Sequence, residues 1–142
     1  MMVAGAIFAP FLGMMLLTFV VWVALYVRRL RFIAMNRIDA QEFTTPEKSV
    51  ELSPEEVRWP ANNFKNLLEL PVLFYALCLY LYATDNVDFV YVASAWVFLG
   101  FRIIHSVVHC TVNIVKLRFA SYMLASIALW FMVIRAAMTQ LS

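Results

Sequence analysis

Four long apolar runs, each close to the length that a membrane-spanning helix requires, dominate this chain. An α-helix needs about 20 residues to cross the hydrocarbon core of a bilayer. We expect such spans at about residues 7–27, 66–83, 89–110 and 120–137. Apolar residues make up 64% of the 142 residues, and a soluble domain of this size could not bury so many. The sequence therefore predicts an all-α integral membrane protein, a four-helix bundle in which residues 1–142 form a single domain.

The only substantial polar region lies between the first two spans, at residues 28–63, and is expected to be a loop with short interfacial helices. Basic residues concentrate in this loop and in the third loop, whereas the second loop, at residues 84–88, is acidic. The basic residues are Arg28, Arg29, Arg31, Arg37, Lys48 and Arg58 in the first loop and Lys116 and Arg118 in the third. Because lysine and arginine favour the cytoplasmic side of a membrane, this asymmetry predicts cytoplasmic first and third loops and external termini.

A stripe of polar side chains interrupts the third span. Arg102, His105 and His109 are three and then four residues apart, so one face of a helix carries all three. An arginine inside the bilayer costs roughly 2.5 kcal/mol or more, and it must therefore face protein or a water-filled cavity. Glu69, near the polar start of the second span, is the expected ion-pair partner of Arg102 or of a protonated histidine. The two polar faces predict an anion-binding pocket that opens to the cytoplasm.

The same residues also have structural interpretations. Arg102 could pair with Glu69, or with carbonyl groups between subunits, and fix a trimer. His105 and His109 have a spacing that suits metal ligands, but no third ligand lies nearby in the sequence, so we expect no metal. The net charge of +2 and the lack of a basic stripe with interleaved aromatic residues indicate no nucleic-acid partner.

Two segments resemble the MAPEG family, the membrane-associated proteins in eicosanoid and glutathione metabolism. They are NNFKNLLELPVLF at residues 62–74 and RIIHSVVHCTVNIVKLRFASY at residues 102–122, and they look like a bacterial-type branch of the family. The resemblance extends over all four spans. It implies a homotrimer in a bacterial inner membrane, with glutathione bound between neighbouring subunits near the cytoplasmic side. A lipophilic second substrate would arrive from the membrane lipids.

The resemblance also implies a set of site residues. Arg118 matches the arginine that holds the glutathione thiolate, and it is the candidate catalytic residue. The candidates for glutathione binding are Arg29, Lys65, Asn66, Arg102, His105, His109 and Tyr122. With these residues the implied function is a glutathione-dependent transferase or peroxidase that acts on apolar electrophiles.

One motif of the glutathione-using members differs in this chain. They usually carry Arg-Asn-x-x-Glu ahead of the proline in the second helix, where this chain has the residues 62–66, NNFKN. Asn66 stands in the place of the glutamate, and the arginine is absent. The alternative function is therefore a non-catalytic membrane scaffold, a lipid-binding protein or an accessory subunit built on the same fold.

Overall fold

A computed structural model describes residues 4–141, and these form six α-helices and two short 3-10 helices without any β-strand. The α-helices are α1 Phe8–Asn36, α2 Pro46–Leu52, α3 Glu55–Leu67, α4 Leu70–Ala83, α5 Phe89–Cys110 and α6 Val115–Leu141. The 3-10 helices are Ala4–Ile7 and Ala40–Glu42. The helical stretches long and apolar enough to cross a bilayer are Gly5–Asn36, Glu55–Ala83, Phe89–Cys110 and Val115–Leu141. The expected all-α architecture with four span-length helices is confirmed.

The helices extend beyond the expected spans at their polar ends, and the loop expected at residues 28–63 is correspondingly shorter. Helix α1 continues past residue 27 to Asn36, and α3 already begins at Glu55. Helix α6 begins at Val115, so Lys116 and Arg118 lie in its first turns rather than in a loop. The physical reason is that hydropathy marks where lipid contact ends, whereas arginine, leucine and glutamate remain good helix formers in water.

A break at Leu68 and Glu69 divides the second span into α3 and α4. Pro71, in the first turn of α4, has no N–H group, so it cannot donate to the carbonyl of Leu67 as a continuous helix would require. At the break the carbonyl oxygen of Asn66 accepts a long hydrogen bond, 3.4 Å, from the Glu69 N–H, and its second lone pair can accept one from another helix. Arg102 Nη2 donates that bond over 2.9 Å.

The interior of the bundle is apolar and closely packed. Helix α5 packs mainly on α6, and α1 packs mainly on α3. Phe74 of α4 stacks on Phe98 of α5 with ring centroids 4.6 Å apart, and both side chains are fully buried. The outer surface is also rich in large apolar side chains, including Leu16, Phe19 and Ile127. Such a surface suits contact with lipid rather than with water.

An ion pair joins α5 and α6 at the end of the bundle that carries the acidic turn of residues 84–88, which we call the acidic end. Arg135 of α6 donates to both carboxylate oxygens of Asp88, with 2.8 Å between Nη1 and Oδ1. Asp88 also caps α5 by accepting from the Tyr91 N–H over 3.0 Å. The hydrogen bonds from Arg135 lower the pKa of Asp88 from 3.8 to about 2, with a smaller contribution from the cap.

Candidate functional site

A cavity of about 400 Å³ lies between α3, α5 and α6, at the end of the bundle opposite the acidic turn, and we call it the site cavity. It is lined by Asn62, Asn66, His105, His109, Val115, Arg118, Phe119 and Tyr122. A smaller cavity of about 120 Å³ adjoins it and shares Asn62, His109 and Arg118 with it. The two cavities together form a polar channel whose walls come from three helices.

Helix periodicity explains which side chains reach the site cavity. Asn62 and Asn66 are four residues apart on α3, and His105 and His109 are four residues apart on α5, so each pair shares one helix face. Helix α6 contributes Arg118 and Tyr122 with the same spacing. The polar stripe that interrupts an otherwise apolar α5 therefore meets matching faces on two other helices.

The turn between α5 and α6 holds the Arg118 side chain at the cavity. Asn113 has the left-handed φ of 48°, which asparagine tolerates better than most residues, and its N–H donates to the Val108 carbonyl over 2.7 Å. Its side-chain Oδ1 accepts a hydrogen bond from Arg118 Nη1 at 2.5 Å. Asn113 is not among the candidate residues from the sequence. The polar stripe of the third span is the sequence signal for it, because Asn113 continues the spacing of His105 and His109 by four residues.

His105 is fixed by its neighbours on α6. Its Nδ1 lies 3.0 Å from the main-chain oxygen of Arg118, and its ring centroid lies 5.8 Å from that of Tyr122. The rings of His105 and His109 are nearly perpendicular, with centroids 5.4 Å apart. Within the described part of the chain, His105 Nε2 and His109 Nδ1 are buried and have no hydrogen-bond partner. The lining of the site cavity thus includes two imidazole rings, each with a buried nitrogen that has no partner among these residues.

Arg102 lies behind the site cavity rather than in its wall. Its side chain is fully buried, and its Cζ lies 5.6 Å from the centroid of the Tyr122 ring. The ion pair expected between Arg102 and Glu69 is not formed: the salt bridge of the described residues joins Arg135 to Asp88 instead. Glu69 lies exposed at the helix break, and the main-chain oxygen of Asn66 takes its place as the partner of Arg102.

Two of the candidate residues lie apart from the others. Arg29 and Lys65 line a neighbouring cavity of about 380 Å³, which is bounded by residues 43–46 and 49–50 of the first loop and shares Asn62 with the site cavity. Lys65 immediately precedes Asn66 on α3, so it points about a quarter of a turn away from the site cavity. The described residues contain no group of three or more His, Cys, Asp or Glu side chains arranged to hold a metal ion.

Comparison with known proteins gives one family. The model of the MAPEG family matches residues 7–138, a range that includes all four span-length helices and every candidate site residue. No curated protein and no solved structure matches the chain significantly.

Proposed function

Since the chain belongs to the MAPEG family, whose members are membrane proteins of eicosanoid and glutathione metabolism, we propose that it is a glutathione-dependent enzyme acting on apolar electrophiles. The observation that carries this proposal is the site cavity, where the Arg118 guanidinium lies together with His105, His109 and Tyr122. Its volume of about 400 Å³ lies in the range usual for small-molecule sites.

Arg118 activates the thiol in this proposal. A free thiol has a pKa of about 8.5, so most of it is protonated and weakly nucleophilic at neutral pH. A guanidinium within hydrogen-bond distance favours the thiolate and lowers that pKa. Arg118 suits this role because Asn113 aims its guanidinium while leaving its other nitrogens available to a ligand. Tyr122 flanks the sulfur, Asn66 and His109 bind the peptide groups of glutathione, and His105 forms a directional hydrogen bond with its thiol.

The carboxylates of glutathione need positive partners, and the second subunit of a homotrimer supplies them in this proposal. Arg29 and Lys65 line a different cavity from Arg118 within one chain. A ligand bound at a subunit boundary can contact Arg118 of one chain and Arg29 and Lys65 of the next. Arg102 contributes through its charge behind Tyr122.

The second substrate reaches the thiolate from the lipid. Val115 and Phe119 line the site cavity, and they are 61% and 62% exposed, so its mouth opens on the apolar outer surface. In the transferase reaction the thiolate sulfur attacks an electrophilic carbon, and the leaving group departs with its electron pair. In the peroxidase reaction two glutathione molecules reduce one peroxide to an alcohol and water and become a disulfide.

We also propose that the end of the bundle with the site cavity faces the cytoplasm of a bacterial inner membrane. Arg28, Arg29, Arg31 and Lys116 lie at this end, where α1 ends and α6 begins. Glutathione is a cytoplasmic thiol, so this orientation gives it access to the site cavity. A membrane potential that is negative inside also favours this arrangement of charges.

One observation favours a second function. The face of α3 that lines the site cavity carries the uncharged amides of Asn62 and Asn66, where glutathione-using members carry arginine and glutamate. A site with fewer charges suits a neutral lipophilic ligand, and the chain would then be a non-catalytic scaffold or accessory subunit. This protein would bind lipid but form no thiolate.

A glutathione titration of the purified protein separates the two functions. We expect glutathione to raise the melting temperature in a concentration-dependent manner. At a glutathione concentration of a hundred times Kd, binding adds about 2.7 kcal/mol to the free energy of unfolding. We also expect thiolate absorbance in the far ultraviolet, and S-methylglutathione, which has no thiol, should give none. Arg118→Ala should abolish the absorbance, whereas Arg31→Ala, on the exposed face of α1, should retain it. Wild-type protein without either signal would rule out the glutathione-dependent function and favour the scaffold function.

A further inference from the structure

We propose that His105 is the proton acceptor of the site: its Nε2 takes the proton from the thiol while Arg118 holds the resulting thiolate. This inference rests on the proposed function. It assigns the removal of the thiol proton to one residue, a step that hydrogen bonding alone cannot perform. Arg118 can stabilise a thiolate but cannot receive a proton, because its guanidinium stays protonated. A base within the site cavity therefore makes the step faster than removal of the proton by hydroxide from solvent.

The hydrogen bond to the main chain fixes which nitrogen of His105 can act as the base. Nδ1 lies 3.0 Å from the main-chain oxygen of Arg118. A carbonyl oxygen can only accept a hydrogen bond, so Nδ1 must carry the hydrogen. In the neutral ring the other nitrogen, Nε2, then has a lone pair and no hydrogen. The fold therefore presents His105 in the tautomer that can accept a proton at the site cavity.

The lone pair of His105 Nε2 is not used within the described part of the chain. The ring is 3% exposed, and among the described residues no group donates to this nitrogen. A buried polar atom without a partner is costly, so a ligand that brings an S–H donor gains the hydrogen bond that the protein omits. His109 Nδ1 is also buried without a partner, but no main-chain contact fixes the tautomer of His109.

The proton transfer to His105 conserves atoms and charge. The S–H bond breaks, its electron pair remains on sulfur, and the proton forms the new N–H bond at Nε2. The groups that face His105 are Arg102 and His109 on α5, and Arg118 and Tyr122 on α6. Helix α3 contributes the neutral amides of Asn62 and Asn66 to the cavity, with Glu55 and Arg58 in the adjoining one. The thiolate formed between Arg118 and the imidazolium supplies the negative charge that these cations lack.

The test measures how fast the bound thiol loses its proton. Glutathione is mixed rapidly with the intact protein in lipid nanodiscs, and thiolate absorbance and proton release to an indicator dye are recorded together. His105→Asn retains a side-chain N–H donor for the Arg118 carbonyl but has no basic nitrogen. We expect it to bind glutathione within about twofold of wild type and to form the thiolate at least 100-fold more slowly, as loss of a general base predicts. Its rate should then rise in proportion to hydroxide concentration.

Two further variants keep the result specific. His105→Ala leaves space in the cavity, and added imidazole should restore its rate, which a merely structural role for His105 would not allow. Lys48→Gln, on the exposed face of α2, should behave as wild type. If His105→Asn forms the thiolate at the wild-type rate and pH dependence, the inference is wrong while the proposed function stands. If wild-type protein does not bind glutathione, both are wrong.

Discussion

Arg102 and Arg118 are both arginines of the site region, but their surroundings are opposite. Arg102 is enclosed on all sides, and its Nη2 donates to the Asn66 carbonyl, while Nε and Nη1 have no partner among the described residues. Arg118 lies near the start of α6, half-buried at the edge of a cavity, with Asn113 as its partner. Removal of one should affect the fold, and removal of the other should affect the ligand.

Arg102→Ala is therefore expected to destabilise the protein. It removes the charge-assisted hydrogen bond to the Asn66 carbonyl, which contributes about 1.5–3 kcal/mol, and it opens a cavity in the bundle. Arg102→Met fills the space without a buried charge and should cost less than the alanine variant. Thermal unfolding in one detergent would compare them. An Arg102→Ala protein that melts at the wild-type temperature would mean that the side chain is not enclosed as described.

Arg118→Ala is expected to change the free energy of unfolding by no more than about 0.5 kcal/mol, because Arg118 lies at a polar helix start. Its thiolate signal with saturating glutathione should nevertheless disappear. Melting temperature and far-ultraviolet absorbance, measured on both Arg118→Ala and Arg102→Ala, distinguish a residue that acts on the ligand from one that stabilises the fold. Equal losses of stability in both variants would contradict this division of roles.

At the scale of helices, the ion pair at the acidic end makes the packing of α5 on α6 sensitive to acid. Asp88 has a pKa of about 2 in the folded protein, below its ordinary value of 3.8. Its carboxylate therefore stabilises the fold at pH values above 3.8. This contribution is lost as the pH falls from about 4 to about 2. The Asp88 side chain is 45% exposed, so solvent screening keeps the effect below about 1 kcal/mol.

Asp88→Asn should remove this acid sensitivity. Asparagine retains an oxygen that can cap α5, so the helix start is preserved while the charge is lost. The melting temperature of wild type should fall between pH 4 and pH 2 by more than that of Asp88→Asn, and the two proteins should converge at the lower pH. Identical pH profiles would show that Asp88 contributes nothing through its charge.

The sequence predicted the helices better than their ends and their partners. Hydropathy located the spans because it measures lipid contact, but it ended the first one before Arg28, where the helix in fact continues to Asn36. It could not identify the partner of Arg102, because that partner is a main-chain oxygen, and every residue type carries one. The family resemblance, rather than hydropathy, assigns Arg29 to glutathione binding, and within one chain that side chain lines a cavity beside the site cavity.

At the scale of the whole molecule, the two ends of the bundle differ in charge, and this predicts a topology. A single cysteine at Ser49, in α2, should be protected from an impermeant reagent in intact cells, whereas one at Asn86, in the acidic turn, should be labelled. Cys78 and Cys110 should be replaced first, and a variant with neither engineered site gives the background. Labelling at position 49 with protection at position 86 would reverse the orientation.

The assembly is expected to be a homotrimer. Arg29 and Lys65 line a cavity beside the site cavity of their own chain, and we expect those of a neighbouring chain to reach a ligand held at Arg118. Mixed oligomers provide the measurement: Lys65→Ala protein and Arg118→Ala protein, each inactive alone, should recover part of the activity when they are assembled together. Cross-linking in lipid that yields only monomers or dimers would contradict this assembly.

The helix break beside Pro71 also has a consequence for how the chain is made. A ribosome synthesises Asn66 before Arg102, so the second helix is already present when the charged third helix leaves the translocon. The carbonyl of Asn66 at this break can solvate the guanidinium as soon as the third helix meets hydrocarbon. The third helix should thus insert into the membrane poorly when it is expressed alone and efficiently when it follows the second helix. The order of Asn66 and Arg102 along the chain therefore favours membrane insertion as well as the folded state.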